Sequence, residues 1–482
     1  MRDFEQFYNQ IIKNKYNYGT GAWSVINPNI AIEMNEYGEY VPVIKDIKNF
    51  HISEEEFETI KKITLLSDSS YNETDIANSL FSDIKGIKYD KRVGYYLNTY
   101  AGYVKEGSFR SNGSSGGFAT WIFKELLEKK LIDGVIHVKP NKESNKPVLF
   151  NYGISKNIEE ICEGAKTKYY PVEFSEALKQ VKENPGKYAF IGGPSFVMSL
   201  RLLQSQDSIL NERVVFAIGL VTAHQKSSKY TEAIAWQCGI KPGNLLNINY
   251  RVKSKDVSPN NYVAEVTGIV NGEKTTIIKN MREVIGTNWG QGFFKIKASD
   301  FTDDVMNETA DVALGDAWLP KYIKDTGGTS IIITRNPVID SIISEGKKSN
   351  KIYLEDLSLD EIYKSQEANF RHTVDELSYR LYKKDKHKEW RPKKRVEANN
   401  STSLLRKKVQ DLREEISIQS HIVYKKAVEL DDLEYFKTEM EKLSKKYNEL
   451  YKTIGTLTAI QSKGIKGIIR AIGKRIKRFI KL

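Results

Sequence analysis

The first candidates for chemistry are two basic side chains at the end of one apolar run. Val214–Leu220 reads as a buried strand, and it breaks into Val221-Thr222-Ala223-His224-Gln225-Lys226-Ser227. A histidine there can donate a proton or bond a ligand, and a lysine two residues on can neutralise a phosphate or a reduced cofactor. A helix cap and a solvated cation would use the same residues, so both uses stay open. Arg251 and Lys253 alternate to one face of the run Tyr250–Lys253. Phosphate ligands would do so, and so do exposed strand charges.

A second set is built from glycine. Ser114-Ser115-Gly116-Gly117 leads into a helical stretch with Phe118, Ile122, Leu126 and Leu127 on one face. Gly192-Gly193-Pro194-Ser195 joins the apolar run Tyr188–Ile191 to another helix. Gly315-Asp316 and the turn Asp325–Ser330 lie close together between strand-like runs. Glycine lets backbone approach a ligand without a clashing side chain. A loop opening onto a helix N-terminus can cradle a phosphate with its free N–H groups and dipole. It can equally be a plain capping loop. None of these turns has the Walker A or G-x-G-x-x-G pattern.

The elements that must position these residues repeat a strand, a tight turn and a helix. Gly134–Val138, Tyr188–Ile191, Val214–Leu220 and Ile331–Thr334 read as strands, with helices near Glu173–Glu183 and Phe196–Gln204. The expected fold class is α/β, a mixed core with a central sheet whose glycine-rich turns gather along one edge. Ligands of such sheets bind beyond the carboxyl ends of the strands. Residues 244–297 read as further β structure, with a hairpin turn at Asn271-Gly272 and the aromatic group Trp289, Phe293 and Phe294.

The chain has 482 residues, is 40% hydrophobic and carries a formal charge of +12. That charge is unevenly placed: Lys383–Leu482 holds 27 Lys+Arg and 13 Asp+Glu, which leaves 47 against 49 in residues 1–382. The body is near neutral and the tail is basic. Cys162 and Cys238 are the two cysteines, too few for a disulfide framework or a cysteine metal site. No apolar run is long enough to span a bilayer, and the N-terminus lacks a secretory signal pattern. The expected location is cytoplasmic, peripheral on the inner face of the cell membrane. The first fifty residues carry the spacing of a ferredoxin-type cluster site without its ligands: the four thiolate positions fall on Asn17, Thr20, Trp23 and Asn27, followed by Pro28. No metal ligand set is expected.

Together these segments resemble the beta-subunit family of coenzyme F420 hydrogenases and dehydrogenases, over roughly residues 10–375. The resemblance rests on the degenerate motif at 17–28, SSGG at 114–117, GGPS at 192–195, HQKS at 224–227, YRVK at 250–253, and ADVALGDAW with DTGGTS at 310–330. It implies a flavoprotein in which Ser114, Ser115, Gly116, Gly117, Gly192, Gly193, Ser195, Arg251, Lys253, Gly315 and Asp316 contact FAD. His224 and Lys226 would then donate a proton and stabilise charge. The family commonly also has cysteines where this chain has Thr222, Ser299 and Thr302, so iron–sulfur transfer is not expected. Bacterial relatives imply a sugar or lipid-linked glycan substrate in cell-surface polysaccharide biosynthesis. A non-redox scaffold that keeps only the fold is the alternative.

The tail divides into a charged linker (383–403), a heptad-patterned stretch (404–458) and a basic amphipathic segment (463–482). Leu405, Val409, Leu412 and Ile416, then Leu433, Phe436, Met440, Leu443, Tyr447, Leu450, Ile454 and Leu457, recur by threes and fours. This is the pattern of a coiled coil, either a helical hairpin turning near Asp431-Asp432 or a rod joining copies into a homo-oligomer. Helices folded back on the body would show it too. The last twenty residues hold eight Lys/Arg and no acid, with isoleucines on the opposite helical face. An anionic membrane surface is the expected partner. Nucleic acid is not, since stacking aromatics are missing.

Overall fold

The computed structural model describes residues 2–46, 49–142, 148–253 and 263–479, with the side chains of 462–479 outside the description. Its centre is an eight-stranded sheet: β1 (Asn98–Val104), β2 (Gly134–Pro140), β3 (Phe150–Ser155), β4 (Tyr188–Gly192), β5 (Val214–Leu220), β6 (Val312–Asp316), β7 (Ser330–Thr334) and β8 (Ile352–Asp356). Their spatial order is β8-β1-β7-β6-β5-β4-β2-β3. The pairs β2–β4, β4–β5 and β5–β6 are parallel, and the outer pairs are antiparallel. The parallel strands therefore end along one edge, at Gly192, Leu220 and Asp316. The expected mixed α/β core and its edge of turns are both present.

Both faces are covered, which is why these strands are apolar on both sides. Alternate residues of β7 divide accordingly: Ile332 packs with Trp121, Ile122, Ile339 and Ile343, whereas Ile331 and Ile333 face Val305, Ile362 and Phe370. Helix α1 (Phe118–Glu128) and the helix Pro337–Lys348 supply the first face. Helix α2 (Pro194–Gln204) packs beside β4 and β5 and is buried from Phe196 to Gln204. A separate antiparallel sheet runs Leu245–Val252, Val263–Val270 and Glu273–Asn280. Its last two strands turn at Asn271-Gly272, both with positive φ as a tight primed hairpin requires. The β reading of 281–297 does not hold: those residues form short 3₁₀ turns and loop.

The degenerate cluster segment folds into the core. Thr20 Oγ1 lies 2.9 Å from Ser199 Oγ, Trp23 Nε1 donates to Thr64 Oγ1 at 2.8 Å, and Asn17 Nδ2 donates to the Tyr40 carbonyl at 3.0 Å. Phe4, Phe7 and Tyr8 surround the Trp23 ring. Positions that would hold thiolates are thus occupied by hydrogen-bonded and aromatic packing. The charged linker is also docked in part. Arg395 donates to both oxygens of Glu308 at 2.8 and 2.9 Å, Lys394 pairs with the buried Asp303, and Trp390 packs edge-on against Tyr16.

The heptad-patterned stretch is a helical hairpin that lies on the body. Helix α3 (Leu404–Leu430) ends at Asp431, whose left-handed φ of 50° reverses the chain, and α4 runs Leu433–Phe479. The apolar seam is spent within the chain: Val409, Ile416, Phe436 and Met440 are fully buried. Phe436 stacks on Phe294 and meets Tyr424 edge-on. Ser420 Oγ accepts from the Phe294 N–H at 2.8 Å, and Ser417 Oγ donates to the Lys295 carbonyl at 2.6 Å. Of the readings left open by the periodicity, the hairpin packed onto the body is the one observed. The isoleucine and cation faces of 463–482 lie outside the described residues.

Candidate functional site

Beyond the carboxyl edge of the sheet lies a cavity of about 1370 Å³. Ser114, Ser115, Gly117, Gly192, Gly193, Ser195, His224, Lys226, Arg251, Gly315 and Asp316 all line it. One topological fact brings them together: β1, β4, β5 and β6 run in the same direction and end at one edge of the sheet, so residues two hundred positions apart share one rim. Hydrogen bonds tie the turns to each other. Gln225 Nε2 donates to Ser195 Oγ at 2.8 Å, Ser114 Oγ accepts from the Thr167 N–H at 2.8 Å, and Ser115 Oγ donates to the Thr329 carbonyl at 3.0 Å.

The glycines serve packing as well as access. Gly117 sits at φ 88°, and a Cβ there would fall 2.6 Å from the Phe109 carbonyl oxygen. It is the left-handed residue that lets α1 start in the loop. Gly116 is turned away from the cavity lining: its N–H donates to Ser330 Oγ at 3.0 Å, and a Cβ would meet the Gly102 carbonyl. The Asp325–Ser330 turn, read as backbone brought close to a ligand, packs for the most part beneath the serine loop, and Ser330 reaches the cavity lining. Gly328 lies against Ser115, and Arg110 bridges the turn through Asp325 and the Gly328 carbonyl.

Arg251 and Lys253 have partners within the chain. The Arg251 guanidinium grips Asp316 with two bonds of 2.8 and 3.1 Å. Both residues face the cavity, and the fork geometry fixes the rim between the small sheet and β6. Lys253 Nζ donates to the carbonyls of Arg110 and Ser115, behind the serine loop and off the cavity lining. Burial, with Arg110 and Arg251 nearby, lowers its ammonium to about 8. Lys253 thus holds the loop that lines the site.

His224 and Lys226 are buried rather than solvated. The His224 ring stacks on Trp289 at 4.5 Å, and its Nε2 is buried without a hydrogen-bond partner among the described residues. Burial first, then Lys226 and Arg413, holds the imidazole well below its ordinary value, so it is neutral at physiological pH. Lys226 is 3% exposed, donates to the Phe293 carbonyl and lies over the Trp289 ring at 4.6 Å. Its ammonium is likewise lowered by burial, then by Arg413 and Lys295. Asp304, which the sequence did not single out, also lines the cavity, with Oδ1 buried and unpartnered. Burial and the neighbouring Glu308 push it up to about 8, so it carries its proton at neutral pH.

The hairpin closes the opposite wall. Arg413 of α3, and Tyr447, Asn448, Tyr451 and Lys452 of α4, line the same cavity. Arg413 donates to the Gly290 carbonyl, as does Tyr447 Oη at 2.9 Å. Tyr451 Oη lies 3.0 Å from His372 Nε2, beside the Arg406–Glu376 pair. Heptad spacing marked Tyr447 as seam, but no sequence signal distinguished Arg413 or Lys452 from surface cations. Among the described residues no helix is long and apolar enough to cross a membrane.

Comparison with known proteins covers much of this architecture. Residues 99–179 match the family described as the N-terminal part of the coenzyme F420 hydrogenase/dehydrogenase beta subunit, and residues 186–360 match the one described as its C terminus. The two regions together make up just over half of the chain and contain the turns at the sheet edge. A solved structure titled as a xenon derivatization of the F420-reducing [NiFe] hydrogenase complex from Methanosarcina barkeri aligns at 15% identity and a TM-score of 0.45. That alignment covers 66% of this chain and 100% of the other. No curated protein matches.

Proposed function

The chain belongs to the coenzyme F420 hydrogenase/dehydrogenase beta-subunit family, and from that premise we propose that it is an FAD-dependent oxidoreductase working without iron–sulfur clusters. The family is a flavin/F420 redox family, and an oxidoreductase-type role comes with membership. The observation that carries the FAD reading is the convergence of four separate turns on one cavity at the carboxyl edge of the sheet.

The residues present suit such a group. A cavity of about 1370 Å³ exceeds the roughly 300–1,000 Å³ typical of small-ligand pockets, so a dinucleotide has room. The starts of α1 and α2 open onto it, and the first N–H groups of a helix have no intrahelical acceptor. The unpartnered His224 Nε2 supplies one more polar contact within the lining. When bound, a flavin supplies hydride transfer, which no side chain can perform.

In this reading the chain's own residues do four things. Gly117, Gly193 and Ser195 shape the rim that receives the phosphates. The Arg251–Asp316 fork holds the rim in register. Lys226, whose charged form lacks a carboxylate beside it, is stabilised as an ammonium by negative charge developing nearby. Neutral His224 presents Nε2 as a hydrogen-bonding and proton-exchanging atom, and protonated Asp304 is a second proton source. The hairpin wall excludes water, which strengthens each of these interactions.

The substrate belonging to this reading is a sugar or lipid-linked glycan intermediate of polysaccharide biosynthesis, met at the inner face of the cell membrane through 463–482. In a non-redox scaffold the coiled coil would do the recruiting, but Val409, Ile416, Phe436 and Met440 of its seam are buried within the chain. Titration of purified protein with FAD, followed by quenching of flavin fluorescence, tests the reading. Saturable binding that Gly117→Ala abolishes is expected, and no uptake by the wild-type protein would overturn it.

A further inference from the structure

The hairpin residues that line the cavity lie beyond the matched part of the chain, which ends at residue 360. They nevertheless bring charge into the site. The lining as a whole contains eight Lys or Arg against three Asp or Glu. Of those three acids, Asp316 is engaged by Arg251 at 2.8 Å, burial pushes Asp304 up to about 8, and Glu367 is an exposed carboxylate at the rim.

On the hairpin side the imbalance is sharper. Lys226 and Arg413 are 3% and 4% exposed, and neither has a carboxylate within 4 Å among the described residues. Each donates to a backbone carbonyl, of Phe293 and Gly290 respectively. The carboxylates nearby are already committed: Asp300 to Lys295, and Glu376 to Arg406. Arg413 Nε and Arg371 Nε are buried without hydrogen-bond partners among the described residues, and both residues line the cavity. Lys452 stands exposed on the same wall. Burial lowers the Lys226 ammonium, so that lysine can shed its proton, whereas a buried guanidinium lacking a counter-ion is costly unless a bound anion supplies one.

We propose that this wall is a second subsite, in which Arg413, Arg371 and Lys452 bind a phosphate or diphosphate group on the substrate. A monocarboxylate would answer one of these cations, whereas a diphosphate answers several, and the Arg fork suits phosphate oxygens. The assignment rests on the reading above, in which the sheet edge takes the flavin, because the hairpin wall is then left for the other reactant. The phosphate has two possible sources, a nucleotide-linked molecule or a lipid-linked one. Helix α4 continues unbroken from Lys452 to Phe479, so the subsite and the basic segment expected at the membrane share one helix.

The test uses the full-length, flavin-loaded protein with pyrophosphate as probe, measured by titration calorimetry. Wild type should bind, Arg413→Gln should weaken binding by about tenfold or more, and Lys452→Gln by several-fold, with flavin content unchanged. Lys452 is exposed, so its variant keeps the test valid if Arg413→Gln fails to fold. Displacement of pyrophosphate by uridine diphosphate marks a nucleotide source, and displacement by a polyprenyl phosphate in neutral vesicles marks a lipid source. Absence of binding, or equal binding by wild type and both variants, would overturn the subsite. So would flavin loss in Arg413→Gln, which would assign the cation to the cofactor. If the protein takes up no flavin yet binds pyrophosphate through Arg413, the subsite stands and the FAD reading falls.

Discussion

At the scale of single residues, the site is made by side chains whose environment differs from what their sequence neighbours suggest. His224 and Lys226 were legible as strand-end residues, but their burial against Trp289 was not, because Trp289 lies far along the chain and meets them only in the fold. Lys253 reads like a phosphate ligand and in fact clamps the serine loop from behind. Gly117 gives the sharpest expectation. Its φ of 88° and the 2.6 Å approach to Phe109 mean that Gly117→Ala should lower unfolding free energy by about 1–3 kcal/mol, read as a lower denaturation midpoint. Asp316→Ala removes one partner of a fork whose Arg251 side chain is 7% exposed. Loss of this ion pair should cost about 2 kcal/mol, under the roughly 3–5 of a fully buried pair because Asp316 is partly exposed. Asp316→Asn, which keeps a hydrogen-bond acceptor, should recover part of the loss.

At the scale of elements, the turns at the sheet edge were readable because each announces itself locally: an apolar run, a glycine turn, then helical periodicity. The hairpin was readable as two seamed helices, since three- and four-residue spacing is intrinsic to the sequence. What the seam packs against was not, because the same pattern serves a rod, a hairpin and a docked pair equally well. Docking depends on Phe436 and His421. Phe436→Ala should cost about 3–5 kcal/mol for a fully buried aromatic and raise the proteolytic sensitivity of α3 and α4 before that of the sheet. His421 Nε2 sits 2.9 Å from Ser227 Oγ, and burial holds its imidazole down at about 4, against an ordinary 6.5. The unfolded chain therefore gains a proton near pH 6.5 that the folded chain refuses until about 4. Stability from this group is complete above 6.5 and is lost as pH falls toward 4, by roughly 3 kcal/mol. His137, also lowered to about 4, acts in the same window. Chemical denaturation at pH 7 and pH 5 should show the loss, and His421→Gln should reduce it.

At the scale of the whole molecule, a near-neutral body carries a basic tail whose first part walls the cavity and whose last part is expected on a membrane. The charge division was visible in the composition; the return of the tail to the site was not, since Arg413 and Lys452 look like ordinary helix-surface cations in sequence. Binding to vesicles should rise with anionic lipid, fall with salt, and be lost when the cations of 463–482 are replaced by glutamine. Sedimentation that does not depend on these residues would remove the membrane role. The proposal on which the others depend is a flavin held in the cavity at the sheet edge. The most direct measurement is the visible absorption spectrum of the protein as purified, repeated after FAD addition and again after dithionite. A flavin in the cavity should give absorption bands that stay with the protein through gel filtration and bleach on reduction. A featureless spectrum that added FAD does not change would contradict it.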